Sequence, residues 1–219
     1  TPLYSSAASD VYKRQTQWGG ICREVKLLVL NPVHITPLDY ASPGVYLTQE
    51  DVTAETARIV AKILIRNTTP VPQNVTVAIT INDAAGRAAA HTSQTQRVSP
   101  NIDLPAFGFI DELTLQQPHL WDGVRDPYLY QAVIEVSVDD KVVDCMEQPL
   151  GLRYYHVDSK KGFFLNGRYL DLHGVNIHED RESKGRAISD VDREEDIKLM
   201  LAMGCNWLRL AHYQHAEYV

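Results

Sequence analysis

Two short clusters near the end of the chain hold the residue types that could do chemistry. One is Asn176-Ile-His178-Glu179-Asp180; the other is Arg209-Leu-Ala-His212-Tyr213. Imidazoles, amides, carboxylates and a guanidinium are the donors and acceptors that a polyhydroxylated ligand such as a sugar requires. His173, His178, His212 and His215, with Glu179 and Asp180, are also metal-ligand types. Their spacing fits no HExxH-like pattern, which favours hydrogen bonding over a metal centre. Glu179 and Asp180 are adjacent, so they cannot flank a scissile bond as an acid and a nucleophile. The candidate binding residues are therefore His178, His212, Arg209, Asn176 and Asp180. No catalytic residue and no metal ligand is assigned, and no cofactor is expected in this chain.

Each cluster needs an element to position it. An apolar run over 173–176 reads as a short strand that delivers the first cluster. Residues 190–203 carry helical spacing through Ile197, Met200 and Leu201. Ser189 or Asp192 can cap this helix, acidic residues load its first turns, and Gly204 suits its end. Residues 206–210 read as a second strand leading to Arg209 and His212. Strand, helix, strand with short links is a βαβ unit, whose strands run parallel. Ligands gather at the carboxyl ends of such strands. The two histidines are therefore expected on one rim.

Upstream the period changes from helical to two. In 57–66, Ile59, Ala61, Ile63 and Ile65 alternate with Arg58, Lys62 and Arg66; 75–81 and 130–138 repeat the pattern. Weaker candidates are 45–52, 86–98, 107–115 and 141–149. About seven half-buried strands without a helix predict a two-sheet sandwich of immunoglobulin-like size. Asn166-Gly167 marks a hairpin between 163–165 and 168–172. The aromatic loop from Pro118-His-Leu-Trp121 to Tyr130 reads as packing at one sandwich end, with a sugar-stacking platform as the alternative. Residues 21–30 read as a strand, and Pro32 and Pro37 bracket a linker. Residues 1–15 fit neither period and are set aside as a tail or scar.

The net charge of −7 in 219 residues argues against nucleic acid or an anionic membrane as partner. No apolar run reaches the length needed to cross a bilayer. The three cysteines, Cys22, Cys145 and Cys205, are too scattered for a disulfide framework.

At these residues the sequence resembles glycoside hydrolase family 2, and most of all its β-galactosidases. Gly174-Val-Asn-Ile-His178-Glu-Asp180 resembles the first strand of the family's TIM barrel. Asn206-Trp-Leu-Arg209-Leu-Ala-His212-Tyr213 resembles its Asn-x-x-Arg-x-x-His-Tyr signature. Pro118 to Tyr130 resembles its immunoglobulin-like sandwich, and Trp18 to Val25 the closing strand of its jelly-roll sugar-binding domain. Two positions depart from the pattern: Gln214 stands where a proline is usual, and Leu210 where a small residue is usual.

The resemblance implies residues 16–35 as the end of the jelly-roll, 36–155 as the sandwich and 156–219 as the start of the TIM (β/α)8 barrel. It implies a retaining exo-β-glycosidase acting on terminal β-D-galactosyl residues of a glycoside or oligosaccharide. β-Glucuronidase and β-mannosidase are alternatives within the family, and a non-catalytic carbohydrate-binding sandwich module is one outside it. His178 and His212 would hold sugar hydroxyls, with Arg209 in support. The two catalytic glutamates are expected on barrel strands after Val219, so these residues alone are expected to be inactive. A divalent cation and a homo-oligomer are expected of the full-length enzyme at most.

Overall fold

A computed structural model describes residues 21, 23, 25–103, 105–211, 213 and 215. They fall into two compact units, one of Leu28–Asp171, the other of Leu172 onward with the described residues up to Leu27.

The first unit is built from eleven strands. β1 (Val33–Ile35), β2 (Val45–Glu50), β3 (Thr56–Asn67) and β6 (Phe107–Gln116) form one sheet. β2 and β1 lie end to end along one edge of β3, and β6 runs antiparallel along the other. β4 (Gln73–Asn82), β5 (Ala88–Val98), β7 (Tyr130–Val138) and β8 (Lys141–Leu150) form the second, in the order β5-β4-β7-β8.

The alternation read from the sequence is the burial pattern. Ile59, Ala61, Ile63 and Ile65 of β3 pack in one core with Val75, Val77, Ile79 and Ile81 of β4, joined by Ile134, Val136 and Phe109. Each of these valine, isoleucine and phenylalanine side chains contributes about 1.5–3 kcal/mol when fully buried. This is the two-layer sandwich expected, and all four weaker strand candidates form.

Two buried asparagines join the sheets at one end. The Asn67 side chain donates to Val98 O at 2.9 Å and Val71 O at 3.1 Å. Its backbone N–H donates to Asn101 Oδ1 at 2.8 Å, and Asn101 Nδ2 donates to Ile65 O at 3.1 Å. With every amide partnered, the burial of these polar groups is offset.

Two expectations change. The stretch between Pro32 and Pro37 is not a linker: Val33–Ile35 pairs with Ile65–Asn67, and Ile35 N–H donates to Asp144 Oδ2 at 2.8 Å. Among the described residues, 25–30 form no strand, and Val25, Leu27 and Val29 are exposed. A strand needs a neighbouring backbone, and the described residues supply none to this stretch.

The aromatic loop packs as one of its two readings has it. Tyr130 is buried and its hydroxyl accepts from His119 N–H at 2.8 Å. His119 stacks on Tyr128 at 3.8 Å, and Arg153 lies over Trp121. These rings take up one another's faces.

After the sandwich, β9 (Tyr155–Asp158), β10 (Gly162–Leu165) and β11 (Arg168–Tyr169) form a small antiparallel sheet. Asn166 and Gly167, both at positive φ (48° and 75°), make the two-residue turn that their types predict.

The second unit holds β12 (Gly174–Ile177), α1 (Asp190–Ala202) and β13 (Trp207–Leu210). β12 and β13 are parallel, as the βαβ reading requires.

Candidate functional site

The strand pair starts with a close approach. A Cβ at Gly174 would lie 2.3 Å from Trp207 Cε3 and 2.5 Å from the Trp207 carbonyl oxygen. Only glycine lets the two backbones meet there. The ladder is extended at both ends: Asn206 N–H donates to His173 O at 2.8 Å, and Ala211 N–H to Ile177 O at 3.4 Å. The Asn206 side chain accepts from His173 N–H at 2.9 Å.

This register sets Asn176 beside Arg209. Arg209 Nη1 donates to Asn176 Oδ1 at 3.4 Å, and both side chains are exposed at the carboxyl half of the pair. Ile177, one residue on, is buried. His178 follows, half-buried, with its ring 6.3 Å from that of Tyr213. The Tyr213 hydroxyl accepts from Glu179 N–H at 2.7 Å, so the loop after β13 is fastened to the loop after β12. Asp180 is exposed. Of the five sequence-derived residues, Asn176 and Arg209 are brought into contact and His178 stands on the same rim. His212 lies outside the described residues.

Glu179 turns inward. Its carboxylate, 3% exposed, accepts from Arg193 Nε of α1 at 3.0 Å and from Arg23 Nη2 at 2.7 Å. A carboxylate bridged by two guanidiniums is fixed in place, which suits an anchor. Sequence reasoning did not single out Arg193. The signal was present: an arginine in the first turn of a helix faces the positive end of the dipole. It needs anions, and it has them in Glu179 and in Asp190 at 2.7 Å.

The loop between β12 and α1 is tied to the helix start. Ser189 is the N-cap, and it forms a capping box with Asp192. Asp192 also accepts from Lys184 Nζ at 2.7 Å and from Arg181 Nη1 at 2.8 Å. Arg181 reaches on to Glu195 and Asp196, each at 2.7 Å. Lys184 and then Ser189 hold the Asp192 carboxyl well below the usual carboxylate range. Glu195 and Asp196 push the Arg181 guanidinium further up.

Beside this knot, the Arg186 guanidinium lies 4.0 Å over the Tyr213 ring. Tyr213 in turn stacks on buried His215 at 5.0 Å. Among the described residues, no group of three or more His, Cys, Asp or Glu is placed to hold a metal ion. The arrangement offers an amide, a guanidinium, an imidazole and a tyrosine on one rim, a set suited to orienting hydroxyls.

Residues 36–153 match glycosyl hydrolases family 2, and residues 157–219 match the TIM barrel domain of the same family. A β-glucuronidase of Bacteroides fragilis is 43% identical over 205 residues, which are 92% of this chain and 28% of that protein. A β-galactosidase of Bacteroides ovatus is 32% identical over 193 residues, 88% of this chain and 22% of that protein. The crystal structure of a family 2 member from Bacteroides cellulosilyticus superimposes with a TM-score of 0.77 at 29% identity, covering 86% of this chain and 25% of that one. The chain thus spans about a quarter of the length of these relatives. Its architecture is the one the sequence predicts, an immunoglobulin-like sandwich followed by the first strands of a barrel. With over half of its residues matched by the sandwich alone, the chain belongs to glycosyl hydrolase family 2.

Proposed function

We propose that these residues serve a retaining exo-β-glycosidase, forming the wall that holds hydroxyls of the terminal sugar. The observation that carries this is the rim at the carboxyl ends of β12 and β13. There Asn176 and Arg209 touch, and Tyr213 ties the loop after β13 to the loop of His178. His178, His212, Arg209, Asn176 and Asp180 bind the sugar and favour its transition state without attacking it. A retaining mechanism needs two carboxyl groups about 5 Å apart. Glu179 is engaged by Arg193 and Arg23 and is not one of them. We propose in addition that residues 1–219 alone do not hydrolyse glycosides.

In the first reading the terminal sugar is β-D-galactosyl. The 43% identity to a protein named β-glucuronidase favours a second, β-D-glucuronosyl. The test assays the product of the complete reading frame on aryl β-D-galactosides and aryl β-D-glucuronides. Turnover of one of them is expected. His178→Ala should cut kcat/KM about 10–100-fold, the scale of losing one or two hydrogen bonds to a hydroxyl. Turnover of neither substrate, or an unaffected His178→Ala variant, overturns the proposal.

A further inference from the structure

Arg186 is a half-buried cation that makes no hydrogen bond or ion pair among the described residues. Its guanidinium lies over the Tyr213 ring, 4.0 Å from the centroid. Its Nε is fully buried and bonds to nothing. This is unexpected in a chain of net charge −7. Its neighbours behave otherwise: Arg181 has three carboxylates, Lys184 has one, and Arg193 has two. Asp180 and Glu182 share the loop with Arg186, yet neither reaches it. A guanidinium taken partly out of water normally acquires an anion.

The platform explains how the group is held. A guanidinium laid on an aromatic face is fixed in orientation, while its in-plane N–H donors stay available at the edge. That edge is the fork that matches a carboxylate bidentately. Tyr213 is itself fixed, by its bond from Glu179 N–H and its stack on His215. It also stands beside His178 on the rim assigned to the sugar. The positive fork is therefore built into the ligand side of the unit.

We propose that Arg186 is a specificity-determining residue that receives the carboxylate of an acidic glycoside, and so selects a uronosyl over a neutral hexosyl residue. This rests on the glycosidase reading above and decides between its two sugars. The two differ at C5, where a uronosyl residue carries a carboxylate and a galactosyl residue a hydroxymethyl. Only the first gives the fork a charge to neutralise.

The test uses the product of the complete reading frame as wild type, Arg186→Lys and Arg186→Met. For each, kcat/KM is measured on aryl β-D-glucuronide and aryl β-D-galactoside, with inhibition constants for free D-glucuronate and D-galactose as a second readout. Wild type should prefer the glucuronide. Arg186→Met should lower kcat/KM on it by about 10–100-fold, the scale of a charge-assisted pair. The galactoside value should stay within about threefold, so that the ratio collapses. Arg186→Lys keeps the charge but loses the fork and should fall between. Inhibition by glucuronate should weaken in step, while that by galactose should not. Wild type that prefers the galactoside overturns the inference and leaves the glycosidase reading standing. So does an Arg186→Met variant that loses both substrates equally or neither, even if folding is impaired, because the inhibition ratio is read on the folded fraction. Wild type inactive on both overturns the glycosidase reading itself.

Discussion

Replacing Glu179 by alanine removes the carboxylate that Arg193 and Arg23 share. Two contributions set the size of the effect. The Arg193 bond, 3.0 Å long, joins side chains 9% and 3% exposed. A charge-assisted hydrogen bond in that setting contributes about 1.5–3 kcal/mol. The Arg23 bond, at 2.7 Å, has a basic end 41% exposed, and solvent screening leaves it about 0–1 kcal/mol. Arg193 keeps Asp190 at 2.7 Å, so its charge is not stranded. The total is then about 3 kcal/mol, at the low end of what breaking a buried pair costs. Local opening should become about a hundredfold more frequent. Hydrogen exchange read by mass spectrometry on the 219-residue chain measures this. Peptides covering 174–211 should exchange about a hundredfold faster. Peptides from the β4–β5 hairpin, whose ladder does not involve Glu179, should keep their rates. Glu179→Gln, which retains an acceptor oxygen, should fall between. Unchanged exchange over 174–211 in the alanine variant would refute the reasoning, because the buried carboxylate would then hold nothing in place.

Gly174→Ala should break the β12–β13 pairing, since the new methyl meets the Trp207 backbone, which cannot move aside. A loss of about 1–3 kcal/mol is expected, visible as a lower denaturation midpoint in tryptophan fluorescence; an unshifted midpoint counts against it. Asp192→Asn should weaken the start of α1 at neutral pH. The folded-state pKa of Asp192 is depressed, so its stabilisation is complete above about pH 4 and is lost as pH falls below that. Amide exchange in α1, compared between wild type and variant, should therefore converge as the pH is lowered through this range. A difference that ignores pH would contradict the assignment.

The parts of this fold that were legible in the sequence are those whose signal is local. Alternating Ile59, Ala61, Ile63 and Ile65 need only one wet face and one dry face to be read as a strand. Ser189 and Asp192 announce the start of α1 within four residues, and Asn166-Gly167 announces its turn in two. Signals that depend on distant partners were not legible. Val33–Ile35 is too short for any period; it is a strand because β3 and Asp144 bond to it. Residues 25–30 are apolar enough to be read as a strand, yet among the described residues they are assigned none. The fate of Glu179 was hidden for the same reason: adjacency to Asp180 ruled out one role, but its anchors lie 14 and 156 positions away. Likewise the contact of Asn176 with Arg209 follows from the parallel register, while the stacking of Arg186 on Tyr213 had no sequence signal at all.

Asn67 gives the sandwich what its apolar rows cannot, an absolute position along the strand. A pattern of period two is satisfied again after a slip of two residues, with every isoleucine of β3 still facing inward. Such a slip would cost Asn67 its bonds to Val98 and Asn101 together. Each buried polar group left unpaired costs about 1–3 kcal/mol. Misregistered pairings of equal hydrophobicity are thus separated from the native one by a polar gap. In a chain made mostly of strands, the fidelity of alignment is indexed by one amide at the end of β3.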